Sequence, residues 1–210
     1  NPALFHAMEQ GPTVAVYCLA NKQWDRHGLA PVKRRLIVDH LIELEEQLAK
    51  LNVPLVILDC EFFSDIPERI KALAIELNIS NVYYNHEYAV NETSCTKNTV
   101  KHLSHINVES QGYHEQCIVS PGLILNGSGE CYKVFSAFAR NWMANISSQA
   151  RPLYNKPVKQ QELDIHSDIQ SLKNYLIDVE IDTKKQWPTG EDEAHDRLNE
   201  FIEQDVSQYH

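Results

Sequence analysis

The chain has 210 residues, a mass of 24.1 kDa and a formal net charge of −10. Hydrophobic residues make up 43% and charged residues 23%, which suits a packed core and excludes disorder as the overall state. No apolar run approaches the ~20 residues that span a bilayer, and 19 basic against 29 acidic residues argue against a chain that grips nucleic-acid phosphates by itself.

Asn1 to Gly11 lacks the basic start and apolar stretch of a secretory leader. Thr13 to Ala20 is an apolar run rich in β-formers and reads as a buried strand. Pro31 opens a helix whose apolar face is Ile37, Leu41, Leu44, Leu48 and Leu51. The Lys33-Arg34-Arg35 triplet reads as that helix's solvated first turn. Pro54 to Cys60 is a second buried strand, and Ile66, Ile70, Leu73 and Leu77 mark a second amphipathic helix. Asn81 to Glu87 is a third strand. A third helix is expected from about Asn91 to His105, and Val108 to Val119 is a weaker fourth strand region.

Strands alternating with helices imply a parallel sheet with right-handed crossovers. The fold class is α/β, a Rossmann-like open parallel sheet with flanking helices. Ligands in such sheets sit at the carboxyl ends of the strands, here Ala20 to His27, Cys60 to Ser64 and Asn85 to Glu92. Beyond Val119 the pattern changes. Pro121-Gly122 and Asn126-Gly127 are turn signals, Tyr132 to Ile146 reads as a helix, and 147–182 reads as a polar connection with a short helix near His166 to Leu176. After a break at Trp187 to Gly190, Glu191 to Tyr209 reads as a helix with Leu198, Phe201 and Ile202 on one side. Three segments follow: an α/β domain over 1–119, a connection over 120–185, and the start of another domain over 186–210.

Five cysteines, at positions 18, 60, 95, 117 and 131, form no CxxC pair and are odd in number, which argues against a zinc site or a disulfide framework. Cys18 and Cys60 lie in apolar runs and read as buried thiols, and a reducing cytoplasm is the natural compartment. With seven glycines the chain has no GxGxxG, GxxxxGK[ST] or GxSxG loop, which weighs against dehydrogenases, P-loop NTPases and α/β-hydrolases. No HExxH occurs, and His102 and His105 lack partners that would complete a metal set. The most unusual cluster is Asn85 to Glu92. Asn91 is placed to cap a helix and Glu92 to sit in its first turn. An amide beside a carboxylate also suits the donor–acceptor edge of a pterin or purine ring.

Four stretches carry a family likeness. They are Gln23-Trp24 with His27 and Pro31; Tyr84-Asn85-His86-Glu87-Tyr88 with Asn91-Glu92; Pro121-Gly122 followed by Asn126-Gly127; and Tyr132-Lys133-Val134-Phe135 with Phe138 and Trp142. In order and spacing they resemble the amino-terminal half of the DNA photolyase/cryptochrome family, most closely its class I cyclobutane pyrimidine dimer photolyases. Asn1-Pro2-Ala3-Leu4 looks like the end of the family's opening motif. The resemblance implies an α/β domain that holds a light-harvesting antenna, usually 5,10-methenyltetrahydrofolate. It implies a helical domain that holds FAD and the damaged DNA. By similarity, His27, Asn91 and Glu92 contact the folate, and Tyr209 falls at the first FAD-contacting tyrosine.

Against the family pattern, the opening strand and most of the helical domain are missing, and Ser136-Ala137 and Ala139 replace residues that are commonly Thr-Pro and Lys. The 210 residues are therefore expected to be a fragment without repair activity of its own, with damaged DNA as the partner of the full protein. No membrane or obligate protein partner is expected. Two other readings are a cryptochrome-type photoreceptor domain and a Rossmann-like nucleotide-binding module.

Overall fold

The structure is a computed structural model that describes residues 1–167, 172–176, 179–180 and 182–209. The chain forms two compact units: Asn1–Gly11 with Ile66–Val158, and Pro12–Asp65 with Lys159–His210.

The first unit opens with helix α1 (Pro2–Gln10), which the apolar pattern did not announce. Its start is fixed chemically: the Asn1 side chain accepts from the Leu4 N–H at 3.0 Å, and Pro2 supplies a preset φ at the first position. Helix α4 (Ile66–Glu76), strand β3 (Asn81–Asn85), helix α5 (Val90–Ser104) and strand β4 (Glu109–Tyr113) follow. Strands β3 and β4 pair in parallel, with Asn81 opposite Glu109 and Asn85 opposite Tyr113. Ala74, Leu103 and Val108 form the core on one face, packed by Ile70, Ile79, Val82 and Ile106. The other face carries α1 and remains half-open. Glu109 and Gln111 are exposed there, beside a cavity of about 570 Å³ bordered by His6, Gln10, Asn81 and Tyr83. Parallel strands are usually covered on both faces; this pair departs from that, because β4 (Glu-Ser-Gln-Gly-Tyr) is polar at its open positions. Helix α6 (Phe135–Gln149) lies three residues later than the aromatic pattern suggested at its start.

In the second unit, strands β1 (Ala15–Ala20) and β2 (Leu55–Cys60) pair in parallel, Ala15 opposite Leu55 and Ala20 opposite Cys60. Leu19, Ala20, Leu55, Ile57 and Cys60 are buried, as their apolar runs imply, whereas Cys18 is only half-buried. Helix α2 (Asn21–Arg26) was not visible in the apolar pattern; helix α3 (Pro31–Ala49) buries Val38, Leu41 and Leu48. Leu44, placed on its buried face by spacing, is 44% exposed. The basic triplet is tied internally: Arg34 pairs with Asp25 and Arg35 with Asp39. The side chain of Gln160 joins both strand entrances, accepting from Thr13 N–H at 2.8 Å and donating to the carbonyls of Thr13 (2.9 Å) and Asn52 (2.8 Å). Tyr175 hydrogen-bonds Asp59; burial first, then that carboxylate, pushes its phenol up to about 12.

Helix α7 (Thr183–Gln186) and helix α8 (Glu191–Glu200) complete the unit. The expected helix to Tyr209 is not continuous: the chain widens to a π-helical turn over Phe201–Asp205 and tightens to a 3₁₀ turn over Val206–Gln208. The short helix expected near His166 to Leu176 falls across residues 168–171, outside the described set.

Three helices end by one device. Asn52, Asn78 and Asn107 follow α3, α4 and α5 with φ of 58°, 51° and 57°. The next N–H reaches back five residues each time: Val53 to Leu48 (3.0 Å), Ile79 to Ala74 (2.8 Å) and Val108 to Leu103 (3.1 Å). These are Schellman ends, in which asparagine tolerates the left-handed region and an apolar pair closes the turn. Each one turns the chain from a helix into the next strand.

Candidate functional site

The segment leaving β3 is Asn85 to Ala89. The His86 N–H donates to the Tyr113 carbonyl at 2.7 Å, so the β3–β4 ladder runs one bond past the strand. Asn85 is structural: its Oδ1 accepts from Ala3 N–H at 3.2 Å and its Nδ2 donates to Glu115. The His86 ring lies 4.6 Å from that of His114 and edge-on to Tyr84 at 5.3 Å. Its place depends on Gly112: a Cβ there would sit 2.6 Å from His86 Nε2 and 2.7 Å from the Tyr84 ring. Tyr88 meets His114 twice, by its hydroxyl at 3.0 Å from Nδ1 and by ring stacking at 5.8 Å. Burial, then the His86 ring, then Arg151 lowers the His114 imidazole from its ordinary value, which favours the neutral ring whose nitrogen can accept a hydrogen bond.

Helix α5 begins directly after this segment. Ala89 is its N-cap and offers no side-chain bond, so Asn91 does not cap the helix as its residue type suggested. The Thr93 hydroxyl instead reaches back to the Glu87 carbonyl at 3.3 Å. Asn91 is exposed and Glu92 half-buried in the first turn, where the helix dipole favours a negative charge. Burial, then the Glu92 charge, pushes the Glu87 carboxyl above its usual range. The first turn therefore offers an exposed amide and a carboxylate acceptor, with the Glu87 carboxyl, which holds its proton more tightly than usual, just before it. That set can hold a ring with adjacent donors and acceptors, and residues present here fit a pterin edge.

The remaining sequence candidates are His27 and Tyr209. His27 is exposed at the end of α2, where the Gln23 amide donates to its Nε2 at 2.8 Å. It belongs to the second unit, whereas Asn91 and Glu92 belong to the first. Tyr209 is 77% exposed, with its ring edge-on to Phe201 at 5.7 Å.

Sequence reasoning missed the loop after β4. Residues 114–118 fall within the expected fourth strand region, Val108 to Val119, but the ladder stops at Tyr113. The loop is held by Arg151, whose Nε donates to the Cys117 carbonyl at 2.6 Å and whose terminal nitrogens donate to the carbonyls of His114 and Glu115. No local signal links an arginine to a loop more than thirty residues before it; only Gly112, a lone glycine inside a strand, hinted at close approach there.

The architecture matches solved members of one structural group. A Synechocystis cryptochrome superposes with a TM-score of 0.75 at 19% identity, covering 96% of this chain and 43% of that one. A class III photolyase from Agrobacterium tumefaciens gives 0.73 at 21% identity, covering 97% and 42%. Likeness at these identities speaks for the fold. The family model described as DNA photolyase matches residues 1–159, and the chain belongs to the DNA photolyase family. Among curated relatives, the deoxyribodipyrimidine photo-lyase of Vibrio cholerae is 30% identical over 100% of this chain and 45% of its own length. That of Escherichia coli is 26% identical over 93% and 41%. The chain thus spans less than half the length of the curated relatives it matches.

Proposed function

We propose that this chain is the antenna-holding portion of a deoxyribodipyrimidine photolyase. Residues 1–119 form the antenna domain, 120–185 the connection, and 186–210 the start of the helical domain. The observation that carries the reading is the first turn of α5. Asn91 and Glu92 stand there free of capping duty, in the helix that follows parallel strand β3, within the stretch that resembles the family's most typical amino-terminal motif.

The antenna is 5,10-methenyltetrahydrofolate, which when bound supplies absorption of near-ultraviolet and blue light. Glu92 accepts from the donor edge of the pterin, and Asn91 adds an amide contact. FAD and damaged DNA are assigned to the full-length protein, with Tyr209 at the beginning of the flavin contacts. The chain is assigned to a reducing cytoplasm, which suits an odd set of five cysteines with no CxxC pair. Among the described residues no helix is long and apolar enough to cross a membrane.

The test is an absorbance titration of the purified chain with methenyltetrahydrofolate, beside Glu92→Ala and with circular dichroism to verify folding. Saturable binding that is lost in the variant supports the assignment. A folded chain whose folate affinity is the same with and without Glu92 refutes it.

A further inference from the structure

We propose that Arg151 is a positioning residue for the antenna site, acting through the loop after β4 on the loop after β3. This inference rests on the function proposed above.

Two loops without regular structure meet at the carboxyl ends of β3 and β4: 86–89 and 114–118. The second is tied down by Arg151 and the residue before it. Three guanidinium nitrogens each take one carbonyl, those of Cys117, His114 and Glu115. The Arg151 N–H adds the Ile118 carbonyl at 3.0 Å, and Ala150 bridges Val119. A planar guanidinium can serve three carbonyls at once because its donors form a fixed fork; an ammonium group cannot reproduce that geometry.

The first loop is tied down by the second. His114 holds Tyr88 by hydrogen bond and stacking and lies against His86, while Glu115 accepts from Asn85. Val90 begins α5 two residues after Tyr88, with no side-chain cap to aim it. The direction of the first turn, and with it Asn91 and Glu92, therefore depends on the path of residues 86–89. Restraint passes from Arg151 to His114 and Glu115, then to Asn85 and Tyr88, then to the turn. Arg151 needs no contact with the ligand to set the site.

The experiment combines folate titration with nuclear Overhauser contacts between the rings of Tyr88 and His114, in the intact chain. Arg151→Met should weaken methenyltetrahydrofolate binding by at least about tenfold and shift the absorption maximum of the bound pigment. It should also abolish the Tyr88–His114 contact while the circular dichroism holds. Arg151→Lys should recover part of the affinity. His114→Phe, which leaves every Arg151 bond in place but removes the acceptor for Tyr88, should reproduce the loss. It also serves if Arg151→Met fails to fold. Wild-type affinity in Arg151→Met, or in His114→Phe, overturns the inference and leaves the proposed function standing. A wild-type chain that binds no folate sinks the proposed function instead; the ring contact then decides Arg151, and its persistence in Arg151→Met refutes the positioning role.

Discussion

Thr183 Oγ1 donates to Asp39 Oδ2 at 3.1 Å, joining residues 144 positions apart in the sequence. The Asp39 side chain is 2% exposed on α3, and Arg35 Nε reaches both of its oxygens, at 3.1 and 3.0 Å. A buried carboxylate survives only with such partners, and here they also fasten α7 to α3. Asp39→Ala takes from Arg35 the carboxylate that both of its Nε bonds reach, and from Thr183 its Oδ2 acceptor. Breaking a fully buried pair costs about 3–5 kcal/mol; Arg35 keeps some solvent, so a loss of roughly 2–3 kcal/mol is expected. Thr183→Val removes one hydrogen bond, worth about 1 kcal/mol. Urea unfolding measures both, and an Asp39→Ala midpoint equal to wild type would show that the pair contributes nothing.

The asparagine helix ends make a second, sharper prediction. Asn78 is exposed with φ 51°, so its side chain is not needed for packing. Asn78→Gly should be neutral or slightly stabilising, because glycine adopts this conformation without a Cβ penalty. Asn78→Ala should cost about 1 kcal/mol, since alanine has no such tolerance. Asn107 should behave the same way. Equal stabilities for the Gly and Ala variants in thermal melts would contradict a left-handed end.

These ends show what could be read in the sequence and what could not. Leu51-Asn52-Val53, Leu77-Asn78-Ile79 and Ile106-Asn107-Val108 repeat one pattern before three strands. It was legible as a helix-stop signal, although apolar periodicity alone passes over it. Strands β1 and β2 were legible to within two residues because each is written as a continuous apolar run, although in β1 only Leu19 and Ala20 are fully buried. Helices α1 and α2 were missed because nine and six residues are too short for a periodic signal; cap chemistry at Asn1 and the Gly28 turn defines them instead. Within the candidate site, Asn91 and Glu92 were visible as a local motif. The Arg151 loop was not, since its restraints join backbone carbonyls to a distant side chain and leave no mark on local composition.

Gly112 tests the packing beneath the site. Its neighbours would meet a new Cβ at 2.6 Å (His86 Nε2) and 2.7 Å (Tyr84 ring), closer than atoms tolerate. Gly112→Ala should therefore destabilise the first unit by about 1–3 kcal/mol, the usual cost of overpacking. Adding His86→Ala should recover part of the loss, because the Tyr84 clash remains. Hydrogen exchange at the His86 amide, which bonds Tyr113, reports the disturbance locally. A Gly112→Ala chain with unchanged stability and unchanged protection there would refute the close approach.

Glu87 links the site to pH. Its carboxyl is pushed up from 4.5 by burial first and by Glu92 second, so the folded state binds its proton more tightly than the unfolded state does. The sign follows from that difference. A group with a raised folded pKa favours folding most below its unfolded value, and this contribution is lost as pH rises through the folded value. At neutral pH the charged Glu87 therefore opposes folding and crowds Glu92. Glu87→Gln removes the charge while keeping the shape, so the variant should be more stable than wild type at neutral pH. The difference should shrink as pH falls below 4.5, where Glu87 is protonated in either state. Folate affinity should hold or improve at neutral pH, because Glu92 keeps its acceptor oxygens and loses a like-charged neighbour. Urea midpoints and folate titrations at both ends of this range decide it. A variant less stable than wild type at neutral pH would mean that the Glu87 carboxylate is held by a partner that stabilises its charged form.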